Sequence, residues 1–155
     1  MVFAADHEAL FDRLDEELRI AAQPAPHLFA RIIGSACTRI PILSKSGKVA
    51  GIGRLVESEA WADAALTLIE LELPGWKLRR LICEDGRWFC SLSRQPNLPV
   101  ALDDTADATH EVMPLAILLA FLHARRRIAV AAQSIAAVRT VETAPAGLLY
   151  CDNFA

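Results

Sequence analysis

The residues of this chain with chemistry in them are four cysteines, four histidines and an acidic run between positions 103 and 111. Cys37, Cys83, Cys90 and Cys151 include no C-x-x-C pair, which excludes the usual zinc-knuckle and thioredoxin spacings. A nucleophilic thiol needs a base or a positive neighbour to become thiolate. Only Arg79 and Arg94 approach Cys83 and Cys90 along the sequence pattern, so the cysteines read as small apolar residues. His110-Glu111-Val112-Met113-Pro114 opens like a zinc-protease motif, but proline stands where the second histidine belongs. Asp103, Asp104, Asp107, His110 and Glu111 could hold a cation weakly; the plainer expectation is a capping region that offsets a helix dipole. His7, His27 and His123 are dispersed and suggest no triad.

Ser46-Gly47-Lys48 fails as a phosphate loop, because position 42 is Ile and position 49 is Val. Gly51-Ile52-Gly53 lacks the third glycine of a dinucleotide fingerprint. No catalytic residue, cofactor or metal ligand is therefore assigned. Two basic groups remain: Lys77, Arg79 and Arg94 at the end of a hairpin, with Arg80 on its other face, and Arg125-Arg126-Arg127. Such groups can meet phosphates beside exposed aromatics. A net charge of −3 speaks against a dedicated nucleic-acid binder.

The elements that would position these residues come from periodicity. Residues 5–21 place Phe11, Leu14, Leu18 and Ala21 on one helical face, with Asp15 and Arg19 paired outside. His27–Ala36 suits a short helix. Residues 37–43 and 48–56 are β-branched enough for strands, although Pro41, Gly51 and Gly53 restrict them to an edge. Ser58 is a candidate cap for a helix to Leu73, stopped by Pro74-Gly75.

A hairpin on Asp85-Gly86 follows, pairing Glu84 with Arg87, Cys83 with Trp88, Ile82 with Phe89 and Leu81 with Cys90. Alternation puts Leu81, Cys83, Trp88, Cys90 and Leu92 on one face, with Lys77, Arg79 and Arg94 at its far end. Trp76, Leu78, Ile82 and Phe89 fall on the other. Both faces are too apolar to stay wet.

After an acidic loop, a helix begins near Ala108 or at Pro114 and runs to about Arg139. Ile117, Phe121, Ala124, Ile128, Ala131, Ile135 and Val138 recur along it at alternating spacings of four and three. Its first half is apolar all round. Its second half carries only the seam.

The pattern predicts an α+β fold: an N-terminal helix, then helix, β-hairpin and long helix, with a small antiparallel sheet and residues 37–56 available for extra edge strands. Residues 1–141 form one domain, and 142–155 a C-terminal tail that Leu148, Leu149, Tyr150 and Phe154 could pin. The 155 residues suit a single core. The start of the chain has no basic n-region, so no signal peptide is expected. The apolar run 112–122 is too short to span a bilayer. A cytoplasmic protein with no membrane partner is the expectation.

The leading functional expectation is a non-enzymatic protein–protein interaction or assembly domain. It would self-associate as a homodimer or bind a protein partner through Ile128, Ala131, Ile135 and Val138, or through the hairpin's Trp76 and Trp88. The alternatives are a nucleic-acid-binding module using Lys77, Arg79 and Arg94, or a small enzyme built around Cys83, Cys90 or His110.

Overall fold

A computed structural model describes residues 2–43, 45 and 47–142. Of the expected tail 142–155, Glu142 ends the last helix, and residues 143–155, with Cys151, lie outside the described residues. Among the described residues, five α-helices, a short 3-10 turn (Val100–Leu102) and one three-stranded sheet make an α+β fold: α1 (Val2–Ile20), α2 (Pro26–Ala36), α3 (Gly47–Glu57), α4 (Trp61–Glu72), β1 (Lys77–Glu84), β2 (Arg87–Ser93), β3 (Thr105–His110) and α5 (Met113–Glu142). The chain divides into two compact units, Met1–Arg125 and Arg126–Ala155.

In the first unit, α1 buries Phe11, Leu14 and Leu18, as their spacing requires. Pro26 sits at the start of α2, where its missing N–H is not needed. Leu28, Phe29, Ile32 and Ala36 form the buried stripe of α2. Arg31 reaches back to Glu17 at 2.6 Å.

Among the described residues of 37–56 there is no strand. Residues 38–43 are bends and turns, and 47–57 are helical. Val49, Ile52 and Val56 also lie at helical spacing, and Ile52 is buried. Ser58 caps nothing: its hydroxyl donates to the carbonyl of Leu55 at the end of α3. Glu59, at φ 59°, turns the chain into α4, whose cap position is Ala60. At the other end, the Leu73 N–H closes on the Ile69 carbonyl before Pro74-Gly75.

The hairpin turn has positive φ at both central residues, 50° at Asp85 and 76° at Gly86. That is the type I′ geometry that matches strand twist. The four predicted pairs nearest the turn all form. Farther along, the register shifts between Leu78 and Arg80, so Leu78 pairs with Leu92 and Lys77 with Ser93. This bulge exchanges the faces expected for Leu78 and Lys77.

The missed element is β3. Residues expected to form an acidic loop continue the sheet on the far side of β2, giving the order β1-β2-β3. Ala106, Ala108 and His110 are buried, while Asp107 and Thr109 face outward. One sheet face therefore carries Cys90, Leu92, Ala106 and Ala108 into the interior. The other adds Asp107 and Thr109 to Ile82 and Phe89. The expected doubly apolar hairpin becomes a sheet with one face that is buried along β2 and β3 but open at Cys83 and Leu78 on β1, and one mixed face.

α5 continues through the three arginines without a break. Leu115 to Leu122 are all enclosed. No described helix is long and apolar enough to cross a membrane.

Candidate functional site

The expected partner-binding residues separate by unit. Trp76 is only 5% exposed, so its ring belongs to the interior of the first unit. Trp88 is half-buried on the face that also carries Cys90 and Leu92, paired with Cys83 and His110. In the second unit, Ile128 is half-buried and Ala131 is exposed. Ile135 and Val138 are 58% and 59% exposed, with Val130 at 51%.

The basic end of the hairpin is not one cluster. Lys77 and Arg94 are exposed. Arg79 sits at the bulge, where its guanidinium binds the Asp103 carboxylate and donates to the Leu98 carbonyl at 3.1 Å. Asp103 also accepts from the Ser93 hydroxyl and from the Gln95 N–H at 3.1 Å. The expected cation-site residue Asp103 is thus the hub that ties the β2–β3 connection to β1.

The other members of that acidic run are used locally or face outward. His110 Nδ1 accepts the Val112 N–H at 2.9 Å, which sets the turn from β3 into α5. Among the described residues, no three His, Cys, Asp or Glu side chains gather as a metal site would need.

Two open grooves flank α4. One, of about 560 Å3, runs between α3 and α4 and is lined by Lys48, Gly51, Arg54, Leu55, Thr67 and Glu70 among others. The second, of about 550 Å3, lies where α4 meets the start of β1 and includes Leu66, Ile69, Trp76 and Leu78. Neither is lined by Cys83, Cys90 or His110. Cys37 and Cys90 are buried, and burial pushes each thiol up to about 12. Glu72 adds to the effect at Cys37 and Asp107 at Cys90, so neither is a thiolate near neutral pH. Cys83 is exposed.

Two polar assemblies escaped sequence reasoning. In the first, His123 on α5 joins three elements: Nδ1 lies 2.7 Å from the Asp107 carbonyl on β3, and Nε2 lies 2.8 Å from Asp15 on α1. In the second, Glu72 accepts the N–H groups of Thr38, Arg39 and Ile40, which wrap its carboxylate. Arg125 lies 3.7 Å away and donates to the Ala36 carbonyl at 2.7 Å.

Asp15 and Asp103 carry a pH consequence. Burial alone would raise both carboxyls; hydrogen bonds and charge from Arg19 and His123 hold Asp15 below its ordinary range. Ser93, Gln95 and Arg79 do the same for Asp103. A carboxyl lowered in the folded state stabilises fully above its unfolded value and loses that contribution as pH falls through the folded one. Urea unfolding followed between about pH 3 and pH 7 should therefore show a steep acid limb. The Asp15→Asn, Asp103→Asn double variant should show a flatter one. Equal slopes would mean that other carboxyls govern the acid response.

Compared with family models, curated proteins and solved structures, the chain matches none. The functional reading therefore rests on its own surfaces.

Proposed function

We propose that this chain is a non-enzymatic assembly domain that self-associates through the second half of α5. The observation that carries this reading is the exposure of Ile135 and Val138 on a seam that continues from Ile128 and Ala131. A helix in water usually turns such a stripe toward a partner surface. Each large aliphatic side chain moved from water into a packed contact contributes roughly 1.5–3 kcal/mol. A second copy presents the same seam, so seam-on-seam packing is self-complementary. Ala131, between the larger residues, lets two helix axes approach to about 8–10 Å.

Sedimentation velocity of the full chain and of its Ile135→Glu, Val138→Glu variant tests the reading. The expected result is a dimer or larger species for the wild type. The variant should associate more weakly and form a smaller species, with an unchanged helical circular dichroism signal. A wild-type chain that stays monomeric at about 100 μM, well above ordinary micromolar affinities, would refute it.

A further inference from the structure

A second surface of this chain fits a second copy, and it lies in the first unit. Among the described residues, β1 is an edge strand. The turn residues Asp85 and Gly86 fix the direction of its backbone groups. In a two-residue hairpin the flanking residues, Glu84 and Arg87, form a hydrogen-bonded pair. Alternation then turns the N–H and C=O groups of Ile82 and Arg80 toward β2, and those of Cys83 and Leu81 outward. The bulge between Leu78 and Arg80 ends the regular edge on one side and the turn ends it on the other. Arg80–Glu84 remain as a regular edge on which the backbone groups of Leu81 and Cys83 turn outward, without a backbone partner among the described residues.

Natural edges are often blunted by charge or by bulges. This one has a bulge at its start, but its remaining charges have opposite signs four residues apart. Arg80 and Glu84 are exposed, and neither side chain has a partner among the described residues. Ile82, midway between them on the same face, is half-buried.

We infer that two copies pair antiparallel through Arg80–Glu84 about a two-fold axis at Ile82, joining their sheets into one of six strands. Hydrogen-bond alternation restricts the register. Outward-facing residues must oppose outward-facing residues, so Leu81 and Cys83 pair across the joint. An axis at Leu81 would oppose Arg80 with Ile82 and leave both charges unmatched. An axis at Ile82 sets Arg80 opposite Glu84 twice and Ile82 opposite its own copy. Opposite charges directly across a strand pair attract, and like charges repel. This contact is separate from the α5 interface and stands without it.

The test uses the full chain carrying Ile135→Glu and Val138→Glu, which removes the α5 contribution. Arg80→Glu alone should weaken the remaining association about tenfold, because two attractive pairs become repulsive. Arg80→Glu with Glu84→Arg should restore it, which general surface damage would not do. Ile82→Cys, in a chain with Cys83→Ser and Cys151→Ser, should cross-link under copper phenanthroline. The non-hydrogen-bonded pair brings its two Cα atoms to about 4.5 Å, within disulfide reach. Cysteines at 80 or 84 should cross-link at least about tenfold more slowly, since neither faces its own copy. Equal rates at 80, 82 and 84, or no rescue by the charge exchange, would overturn the inference. Capture of strands from other proteins only, with no self-pairing, would overturn it as well. Failure of the α5 reading shows separately, as unchanged association on introducing Ile135→Glu and Val138→Glu.

Discussion

Replacing Glu72 by alanine is expected to lower the unfolding free energy by about 3–5 kcal/mol, the cost of removing one partner from a buried charge pair. The Glu72 side chain has no accessible surface. Its carboxylate takes the N–H groups of Thr38 at 2.7 Å, Arg39 at 2.9 Å and Ile40 at 3.1 Å, and the Thr38 hydroxyl at 3.1 Å. Alanine would leave these donors facing a void, and each buried orphan costs about 1–3 kcal/mol if water does not enter. Arg125 would keep its bond to Ala36 but lose its counter-charge. Glu72→Gln retains an acceptor and the shape, so it should fall between the wild type and the alanine variant. Urea unfolding measures the loss. Amide exchange should locate it, with Thr38, Arg39 and Ile40 losing protection first. An alanine variant within about 0.5 kcal/mol of the wild type would mean that the loop does not depend on this carboxylate.

Glu72 also shows where sequence reading ends. A carboxylate holding three backbone N–H groups 32 to 34 residues away leaves no local pattern. It explains why residues 38–40 need no strand partner: a side chain satisfies their backbone. The α3 segment was ambiguous for a different reason. Val49, Ile52 and Val56 fit a helical stripe, yet β-branched residues beside Gly51 and Gly53 also fit an edge strand. The stronger alternation lay in β3, disguised by Ala106, Asp107 and Ala108, residue types depleted in strands. What chose strand there was the open edge of β2.

By contrast, α1, the hairpin and the continuity of α5 depend on neighbours within a turn or two, and all were legible. The bulge between Leu78 and Arg80 was not. The Arg79 side chain binds Asp103 across the β2–β3 connection, another contact without a sequence pattern. That shift moved Lys77 and Leu78 to new faces. It also cut β1 into a bulged start and the short regular edge Arg80–Glu84. Part of the candidate surface was therefore visible as residue types, while its geometry needed the fold.

The two proposed interfaces have a joint consequence. Each is isologous, and a chain with two isologous surfaces is not completed by one partner. Intersecting two-fold axes close a tetramer; other arrangements extend into a filament. Ile135→Glu with Val138→Glu should reduce the assembly to edge-paired dimers. Arg80→Glu should instead reduce it to helix-paired dimers.

Phe121→Ala should be the other severe substitution, and its contrast with Val138→Ala separates the two halves of α5. Both residues lie on the same seam at alternating spacings of four and three. Phe121 is fully enclosed in the first unit, whereas Val138 is largely exposed in the second. Removing a buried phenylalanine ring forfeits its transfer energy and leaves a cavity, together about 3–5 kcal/mol. Removing two exposed methyl groups from Val138 changes monomer stability by less than about 0.5 kcal/mol, and alanine favours the helix slightly. In self-association the order reverses: a Val138→Ala chain stays folded but associates more weakly, because the lost methyl groups belong to the seam contact. Urea unfolding at a concentration dilute enough to keep the chain monomeric reads the first effect, and sedimentation at higher concentration reads the second. If Val138→Ala destabilised the dilute chain as Phe121→Ala does, Val138 would have its cover within one chain, and seam-on-seam packing would lose its basis.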